Sequence, residues 1–448
     1  MLTSRRALGA TLAILFLAAV PASAELKLAD NDRVVFFADQ SLSTRYALEW
    51  LDQFLRARYP ELKAEVYCAA QDGCTATEAV ERLDTEILPL KPTYVVFSFG
   101  LDHAGRQAFQ PAMVDSYKAA MGKMFDSVKA QNINAIAVTP PPIDDSRDKG
   151  LQNIKYQETV GKFAEALREV ATEKNVPVID WRAGIETLRS ESREAAKEPF
   201  MSRGTQPIGM SLAVLCDKVL EHFGAEPMHY MAEADWQGDA VAATFGKVEL
   251  TERSEHTMSM KLTGVPAPMS LGEPGDKLGN QHPLNKWQVY QLKIAHMPEG
   301  GALVSVVGKS PKPYLTQQFE TGAYLTILPY FSSSKSIQNL YNAIRSKILQ
   351  FEKYAQFSRK EAPEPELVEA YKLYAGAEMA LAFGVYKIAL RTPSSYDVAL
   401  TVELAAHAAE RQRLNPTPKP EKKRRPAHIR PKVKKRPATQ SDDGQPTP

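Results

Sequence analysis

The strongest constraint on the fold is a regular alternation of short apolar runs with amphipathic stretches between residues 33 and 224. The runs are rich in Val, Phe, Ile and Ala, and the stretches between them place apolar side chains at helical spacing. Strands that alternate with helices in this way favour a mainly parallel sheet covered by helices on both faces. We therefore predict an α/β fold, a doubly wound parallel sheet, with five strands at 33–37, 64–70, 94–100, 135–139 and 177–181.

The predicted helices of this first domain follow each strand in turn. The first covers residues 44–59, and the next four begin near residues 77, 115, 155 and 183. A last helix is predicted from about Pro207 to Phe223, because proline is suited to the first helical turn. Ligands of such sheets bind at the carboxyl ends of the strands, so functional residues are expected there.

The rest of the chain lacks this alternation of strands and helices. Turn signals and a period-2 stretch predict a small β-rich region over residues 227–334, and helical spacing predicts a helical region over 335–414 that packs back on the first domain. Residues 415–448 combine Pro with Lys and Arg, which predicts a basic, disordered tail. The first domain is assigned to residues 25–226.

The N-terminus predicts export. Arg5 and Arg6 precede an uncharged apolar run, which ends at an Ala22-Ser23-Ala24 motif of the kind that signal peptidase cleaves. We expect residues 1–24 to be a signal peptide and the mature protein to be periplasmic, bound to the cell envelope or secreted. The apolar run is short for a bilayer crossing, which needs about 20 residues, so no transmembrane segment is expected after cleavage.

Charge is distributed unevenly along the chain. Residues 415–437 contain ten Lys or Arg and one Glu, whereas the whole chain has a net charge of +2, so the predicted folded part is mildly acidic. In an exported protein such a tail is expected to attract anionic cell-envelope polymers or lipid head groups, and no nucleic acid is expected as a partner. The tail could therefore hold a structural protein at the envelope.

The cysteines do not predict a cofactor or a metal site. Three cysteines are too few for a disulfide scaffold, although export permits a bridge between Cys68 and Cys74. That pairing stays open from the sequence. Cys216 lies at helical spacing among apolar residues, which favours a buried thiol.

Four short segments, three after predicted strands and one before the last helix, contain the motifs that are informative about function: residues 36–40, 68–83, 99–103 and 203–207. In this order they resemble the sequence blocks of the SGNH hydrolases, also called GDSL-type esterases. The resemblance covers somewhat less than half of the chain. It implies a flavodoxin-like sheet and, in active members, hydrolysis of esters that are frequently acyl groups on carbohydrate.

The resemblance also implies where the catalytic residues should be, and all five positions differ from the family pattern. They are the serine nucleophile, the glycine and asparagine of the oxyanion hole, the acid and the histidine base, occupied here by Gln40, Ala70, Asp102, Arg203 and Gln206. An amide such as Gln40 cannot be activated to attack a carbonyl, and Gln206 cannot exchange a proton near neutral pH. The sequence therefore predicts a pseudoenzyme that keeps the cleft for binding or scaffolding.

Three alternatives remain at this site. Ser41 and His103 could act as displaced catalytic groups of an ester hydrolase, or Asp39, Asp102 and His103 could bind a divalent cation, although a solvated or ion-paired mouth is the simpler expectation. Arg203 could instead form an ion pair with Asp102 or Asp39 that closes the old cleft.

The β-rich region carries a group of aromatic residues that could stack on sugar rings or fill a small core: Trp287, Tyr290, Tyr314, Tyr324, Tyr330 and Phe331.

Overall fold

The computed structural model describes residues 26–145, 148–192, 197–202, 204–269, 282–306, 310–325, 335–357, 377–388 and 395–414. The predicted signal peptide, the predicted tail, Arg203, Tyr330 and Phe331 lie outside these residues. The side chains of a few helix and strand residues inside the ranges are also not described.

A parallel five-stranded sheet forms the centre of the first domain, as the sequence predicts. Its strands in the spatial order β2-β1-β3-β4-β5 all run in the same direction. Their bounds are β1 Arg33–Ala38, β2 Glu65–Ala70, β3 Tyr94–Ser98, β4 Asn134–Val138 and β5 Val178–Ile179. The fifth strand is shorter than predicted because Asp180 already caps the next helix, accepting a hydrogen bond from Ala183 N–H.

Seven helices accompany this sheet: α1 Tyr46–Arg58, α2 Ala76–Arg82, α3 Pro111–Ala130, α4 Lys149–Asn153, α5 Tyr156–Glu173, α6 Trp181–Glu191 and α7 Gly209–His222. A π-helical turn at Leu83–Ile87 and a 3-10 turn at Leu88–Leu90 extend α2, and a 3-10 turn at Gln40–Leu42 follows β1. Pro207 is not in the last helix, which corrects the sequence prediction. It lies in the short strand β7, Gln206–Pro207, which pairs antiparallel with β6, Met201–Ser202.

The sheet separates two apolar cores because successive strand residues point to opposite faces. Val34 and Phe36 of β1 lie in one core with α1 and α7, whereas Val35 and Phe37 lie in the other with α2, α3 and α5. The five strands are nearly free of exposed side chains, as a sheet covered on both faces requires.

The second half of the described chain contains two further sheets. Their strands are β8 Met228–Asp235, β9 Val241–Ala243, β10 Lys247–Arg253, β11 Thr257–Pro266, β12 Gln288–Ala295, β13 Ala302–Val306, β14 Lys312–Tyr314, β15 Ala323–Tyr324 and β16 Ser395–Leu404. One sheet has the order β10-β11-β16-β13-β14 and the other β15-β12-β8-β9. The helical elements are a 3-10 turn at Pro283–Trp287, α8 Thr316–Thr321, α9 Lys335–Phe357, α10 at 377–388 and α11 Ala405–Leu414.

The predicted helical region is only partly helical. Residues 395–404 form β16, the middle strand of its sheet, which pairs antiparallel with β11 and β13. Val398, Leu400 and Val402 are buried on one side of this strand. A period-2 signal was therefore present in the sequence, but it is short and follows long helical runs.

The C-terminal helices pack back on the first domain, as predicted. Helix α9 lies against α1 and β2. Lys347 of α9 forms an ion pair of 2.7 Å with Asp52 of α1, and both side chains are almost fully buried. On α10, the hydroxyl of Tyr386 donates to the same carboxylate at 3.1 Å.

Candidate active site

The segment after β1 is fixed by the buried carboxylate of Asp39. Its Oδ1 accepts a hydrogen bond from Ser41 N–H at 2.9 Å, and its Oδ2 accepts from Gly100 N–H at 2.8 Å and Asp102 N–H at 3.1 Å. Burial raises the pKa of Asp39 despite these bonds. Asp39 thus ties the loops after β1 and β3 together at the carboxyl edge of the sheet.

Asp102, after β3, points its carboxylate at the loops that follow β1 and β2. Its Oδ2 accepts from Gln40 N–H at 2.9 Å and Gly73 N–H at 2.8 Å, and its Oδ1 accepts from Gln40 Nε2 at 2.6 Å. Two backbone N–H groups that converge on one oxygen have the geometry of an oxyanion hole. Here the oxygen that accepts from both N–H groups belongs to the carboxylate of Asp102.

The surroundings of Asp102 favour its protonated form. Burial is the largest cause, the negative charge of Asp39 adds to it, and together they raise the pKa of Asp102 to about 7. The hydrogen bonds from Gln40 and Gly73 N–H oppose this effect.

The second backbone donor to Asp102 is Gly73 and not Ala70, the residue that the resemblance places at the glycine position. Ala70 is the last residue of β2, whereas Gly73 lies three residues further on, in the turn before α2. Gly73 has a φ of +77°, a conformation that glycine adopts without strain. The signal in the sequence that could have identified it is the Asp72-Gly73 pair directly after the apolar run of β2, which is typical of a turn.

Ser41 and His103 do not form a catalytic pair. Ser41 is 1% exposed, and its hydroxyl bonds to the Ser98 carbonyl oxygen at 3.1 Å and lies 2.9 Å from the Ser98 hydroxyl. His103 accepts a hydrogen bond from Ala76 N–H at Nδ1, and its Nε2 lies 3.1 Å from Ser116 Oγ. Burial lowers the pKa of His103. Each side chain therefore has partners other than its proposed catalytic partner.

Both ring nitrogens of His103 have partners other than Asp39 and Asp102, the carboxylates with which it could have held a cation. Among the described residues, no group of three or more His, Cys, Asp or Glu side chains is placed to hold a metal ion.

Gln206, which the resemblance places at the family's histidine position, lies near the loop after β1. Its Nε2 donates to Ser43 Oγ at 3.3 Å, and Ser43 Oγ donates to the carbonyl oxygen of Gln40 at 3.0 Å. The structure therefore brings Gln40, Asp102 and Gln206 to one edge, as the sequence order implies. Arg203 lies outside the described residues, so the suggested ion pair with Asp102 or Asp39 stays a prediction.

The remaining sequence candidates have structural roles where the structure describes them. Cys68, Cys74 and Cys216 are buried thiols and form no disulfide. Trp287 and Tyr290 are buried, Tyr314 is half-buried, and Tyr324 is exposed. Among the described aromatic residues, Trp287 and Tyr290 therefore belong to the apolar core. Within the described part of the chain, no helix combines the length and apolar character that a membrane crossing requires.

Comparison with known proteins supports the fold. A model of the GDSL-like lipase/acylhydrolase family matches residues 38–204. The solved structure of a gut microbial diltiazem-metabolizing enzyme is similar with a TM-score of 0.67 over 84% of this chain and 98% of that chain, at 12% identity. At this identity the likeness concerns the fold alone, and its coverage extends into the C-terminal sheets.

The acetylxylan esterase Axe2 from Geobacillus stearothermophilus is 19% identical, with a TM-score of 0.39 over 45% of this chain and 97% of that chain. No curated protein matches the sequence. The matched segment 38–204 contains strands β2 to β5, the Asp39 network and the N–H groups that bond to Asp102. The match of this part of the chain to the GDSL-like lipase/acylhydrolase family supports its resemblance to the SGNH hydrolases, a resemblance that places Gln40 and Asp102 at the family's serine and asparagine positions.

Proposed function

We propose that this protein is an exported, non-catalytic SGNH-fold protein that uses the former catalytic cleft for binding or scaffolding at the cell envelope. The observation that carries the proposal is the position of the Asp102 carboxylate on the N–H groups of Gln40 and Gly73. A hydrolase needs these donors for the oxygen that becomes negative in the transition state.

The neighbouring groups support the same conclusion. The amide of Gln40 has no ionisable oxygen with which to attack an ester, and the amide of Gln206 cannot serve as a base. In a protease triad, loss of the nucleophile or base alone costs on the order of a millionfold in rate. The family reaction therefore lacks its nucleophile, its base and a vacant site for the oxyanion.

The mouth retains neutral polar groups that suit recognition. The half-buried side chains of Gln40, Ser43 and Gln206 provide hydrogen-bond donors and acceptors beside the sheet edge. Such groups match the hydroxyl groups of a carbohydrate, which we propose as the ligand class of the cleft.

For the basic tail we propose an anionic envelope polymer as the partner. We expect association of the protein with the envelope to weaken with added salt and to be lost when the chain is truncated at Asn415.

An esterase assay on short acyl esters, with the purified chain from residue 25 onward, tests the proposal. We expect no turnover above that of Ser41→Ala and Gln40→Ala variants, with folding verified by circular dichroism. Turnover that Ser41→Ala abolishes would overturn the proposal in favour of an ester hydrolase with displaced groups. The contacts of Ser41 and His103 argue against that alternative, because neither side chain reaches the other.

A further inference from the structure

Two histidines from distant parts of the chain meet at one end of a C-terminal sheet. His256 lies in the turn between β10 and β11, and His407 lies in the first turn of α11, just after β16. Their rings are nearly parallel, with an interplanar angle of 23° and centroids 4.8 Å apart. His256 is exposed and His407 is half-buried, so an ion from solvent can reach the pair.

The main chain around the pair is held by hydrogen bonds that do not involve the imidazole rings. The carbonyl oxygen of His256 accepts from Leu404 N–H at 3.0 Å, which joins the turn to the end of β16. The N–H of His256 donates to Ser254 Oγ at 3.3 Å. Because the backbone on both sides is already ordered, little conformational entropy is lost when the two rings bind one ligand.

Glu403, the last residue but one of β16, orients the ring of His407. Its Oε1 lies 2.8 Å from Nδ1 of His407. An ionised carboxylate only accepts hydrogen bonds, so Nδ1 is the donor, and the lone pair of the neutral ring lies on Nε2. Histidines that bind metal ions typically have their second ring nitrogen bonded to a carboxylate or carbonyl oxygen in this way.

The spacing of the two rings fits two imidazoles on one metal ion. With Zn–N bonds of about 2.1 Å and an angle of about 90–110° at the ion, the ring centroids lie roughly 4.5–5.3 Å apart. The observed separation of 4.8 Å falls within this range.

We propose that His256 and His407 bind a Zn²⁺ ion, with Glu403 as a positioning residue that acts through the His407 ring. Imidazole nitrogen suits Zn²⁺, whereas Mg²⁺ and Ca²⁺ prefer oxygen ligands. With two protein ligands, water or an external ligand supplies the remaining positions of the four-coordinate ion. The ion joins the β10–β11 turn to α11, the helix that ends at Leu414 directly before the predicted basic tail.

Isothermal titration calorimetry with zinc chloride tests the proposal, on the chain from residue 25 onward and without a histidine tag. We expect the wild type to bind Zn²⁺, and we expect the affinity to fall at least tenfold in His256→Ala and at least tenfold in His407→Ala. An excess of Mg²⁺ should not displace the ion. His256→Gln and His407→Gln serve as second variants if an alanine variant does not fold.

Two substitutions at Glu403 test its positioning role. Glu403→Ala removes the acceptor of the Nδ1 hydrogen bond and should weaken Zn²⁺ binding about 10–100-fold. In Glu403→Gln the amide oxygen still accepts that bond, so this variant should recover part of the lost affinity. A purely structural role of Glu403 predicts no such order of Zn²⁺ affinities among folded variants.

His296→Ala is the matched control. It removes another exposed histidine that is bonded to a carboxylate, since His296 Nδ1 lies 2.9 Å from Asp235 Oδ1, but it leaves His256 and His407 in place. The affinity of H296A for Zn²⁺ should equal that of the wild type.

The proposal is overturned if the wild type does not bind Zn²⁺, or if folded H256A and H407A bind it as tightly as H296A does. Loss of binding in only one of the two variants also overturns it, because a single imidazole would then hold the ion. The proposed function concerns the cleft of the first domain and is unaffected by either result.

Discussion

At the scale of single residues, Asp102 is a carboxylate at a position where the resemblance implies an amide, and this difference should reverse the role of the side chain. The family pattern places an asparagine, a hydrogen-bond donor, at the oxyanion hole. When it is ionised, Asp102 has only acceptor oxygens. In the structure one of these oxygens accepts hydrogen bonds from the N–H groups of Gln40 and Gly73. The residue type predicts loss of donation, but the filling of the site depends on where Gly73 lies.

Stability should depend on pH through Asp102. Its pKa is raised from 3.8 to about 7 in the folded protein, so the folded state binds this proton more tightly than the unfolded state does. The stabilisation is complete below pH 3.8 and is lost as the pH rises through 7. We expect the free energy of unfolding to fall by on the order of 2 kcal/mol between pH 5 and pH 8, measured by urea denaturation.

Asp102→Asn is the matched variant for this prediction. Its amide oxygen can accept the N–H bonds of Gln40 and Gly73, but it carries no titrating group. The decline between pH 5 and pH 8 should therefore be smaller in D102N than in the wild type. Equal slopes in both proteins would show that Asp102 is not the titrating group.

At the scale of elements, the edge strand β2 of the parallel sheet is covered by arginine side chains and by a helix. Arginine side chains satisfy carbonyl groups along and just before this strand: Arg56 Nη2 donates to Ala64 at 2.9 Å and Arg82 Nη2 donates to Ala69 at 3.1 Å. Helix α9 also packs against β2. Covering an edge in this way removes a surface on which another strand could pair.

The docking of α9 on α1 should depend on Asp52. Its carboxylate lies 2.7 Å from Lys347 Nζ and 3.3 Å from Arg56 Nε, and all three side chains are buried. Asp52→Asn leaves buried cations without their counter-ion, which typically costs about 3–5 kcal/mol. We expect a loss of this size in the free energy of unfolding, measured by urea denaturation.

The double variant Asp52→Asn/Lys347→Met provides the control. Methionine removes one buried cation while keeping much of the side-chain volume, so it should recover part of the stability lost in D52N. If the double variant is no more stable than the sum of the two single changes predicts, Asp52 and Lys347 are not coupled as an ion pair.

At the scale of the whole molecule, one apolar core joins the parallel sheet to the C-terminal sheets. Trp287 packs edge-on against Phe54 of α1 with ring centroids 5.7 Å apart. Its indole nitrogen also donates to Asp217 of α7 at 2.7 Å. The core on this side of the first sheet continues into β8, β11 and β16. The sequence pattern changes near residue 226, but the packing has no boundary there, because one core contains residues from both sides of it.

A chain that ends at Glu226 should not fold stably by itself. Its helices α1 and α7 would expose the apolar surface that Trp287 and its neighbours cover, and such patches promote aggregation. We expect strong binding of an apolar fluorescent dye and sedimentation as aggregates.

The control is a chain that ends at Leu414, which should melt at the same temperature as the full-length protein. A soluble, monomeric 25–226 fragment with a sharp thermal transition would show instead that the first domain is independent.

The sequence by itself determined the parallel sheet, because buried strands and amphipathic helices impose different periods on the chain. It also led to the prediction that Gln40 and Gln206 occupy the family's serine and histidine positions, since residue type alone decides that an amide cannot perform that chemistry. Only the tertiary structure decided that β16 pairs between β11 and β13, because such pairing joins segments far apart in the chain. It likewise decided that Gly73 and Asp102 meet, since a hydrogen bond between two loops depends on backbone geometry that no local pattern encodes.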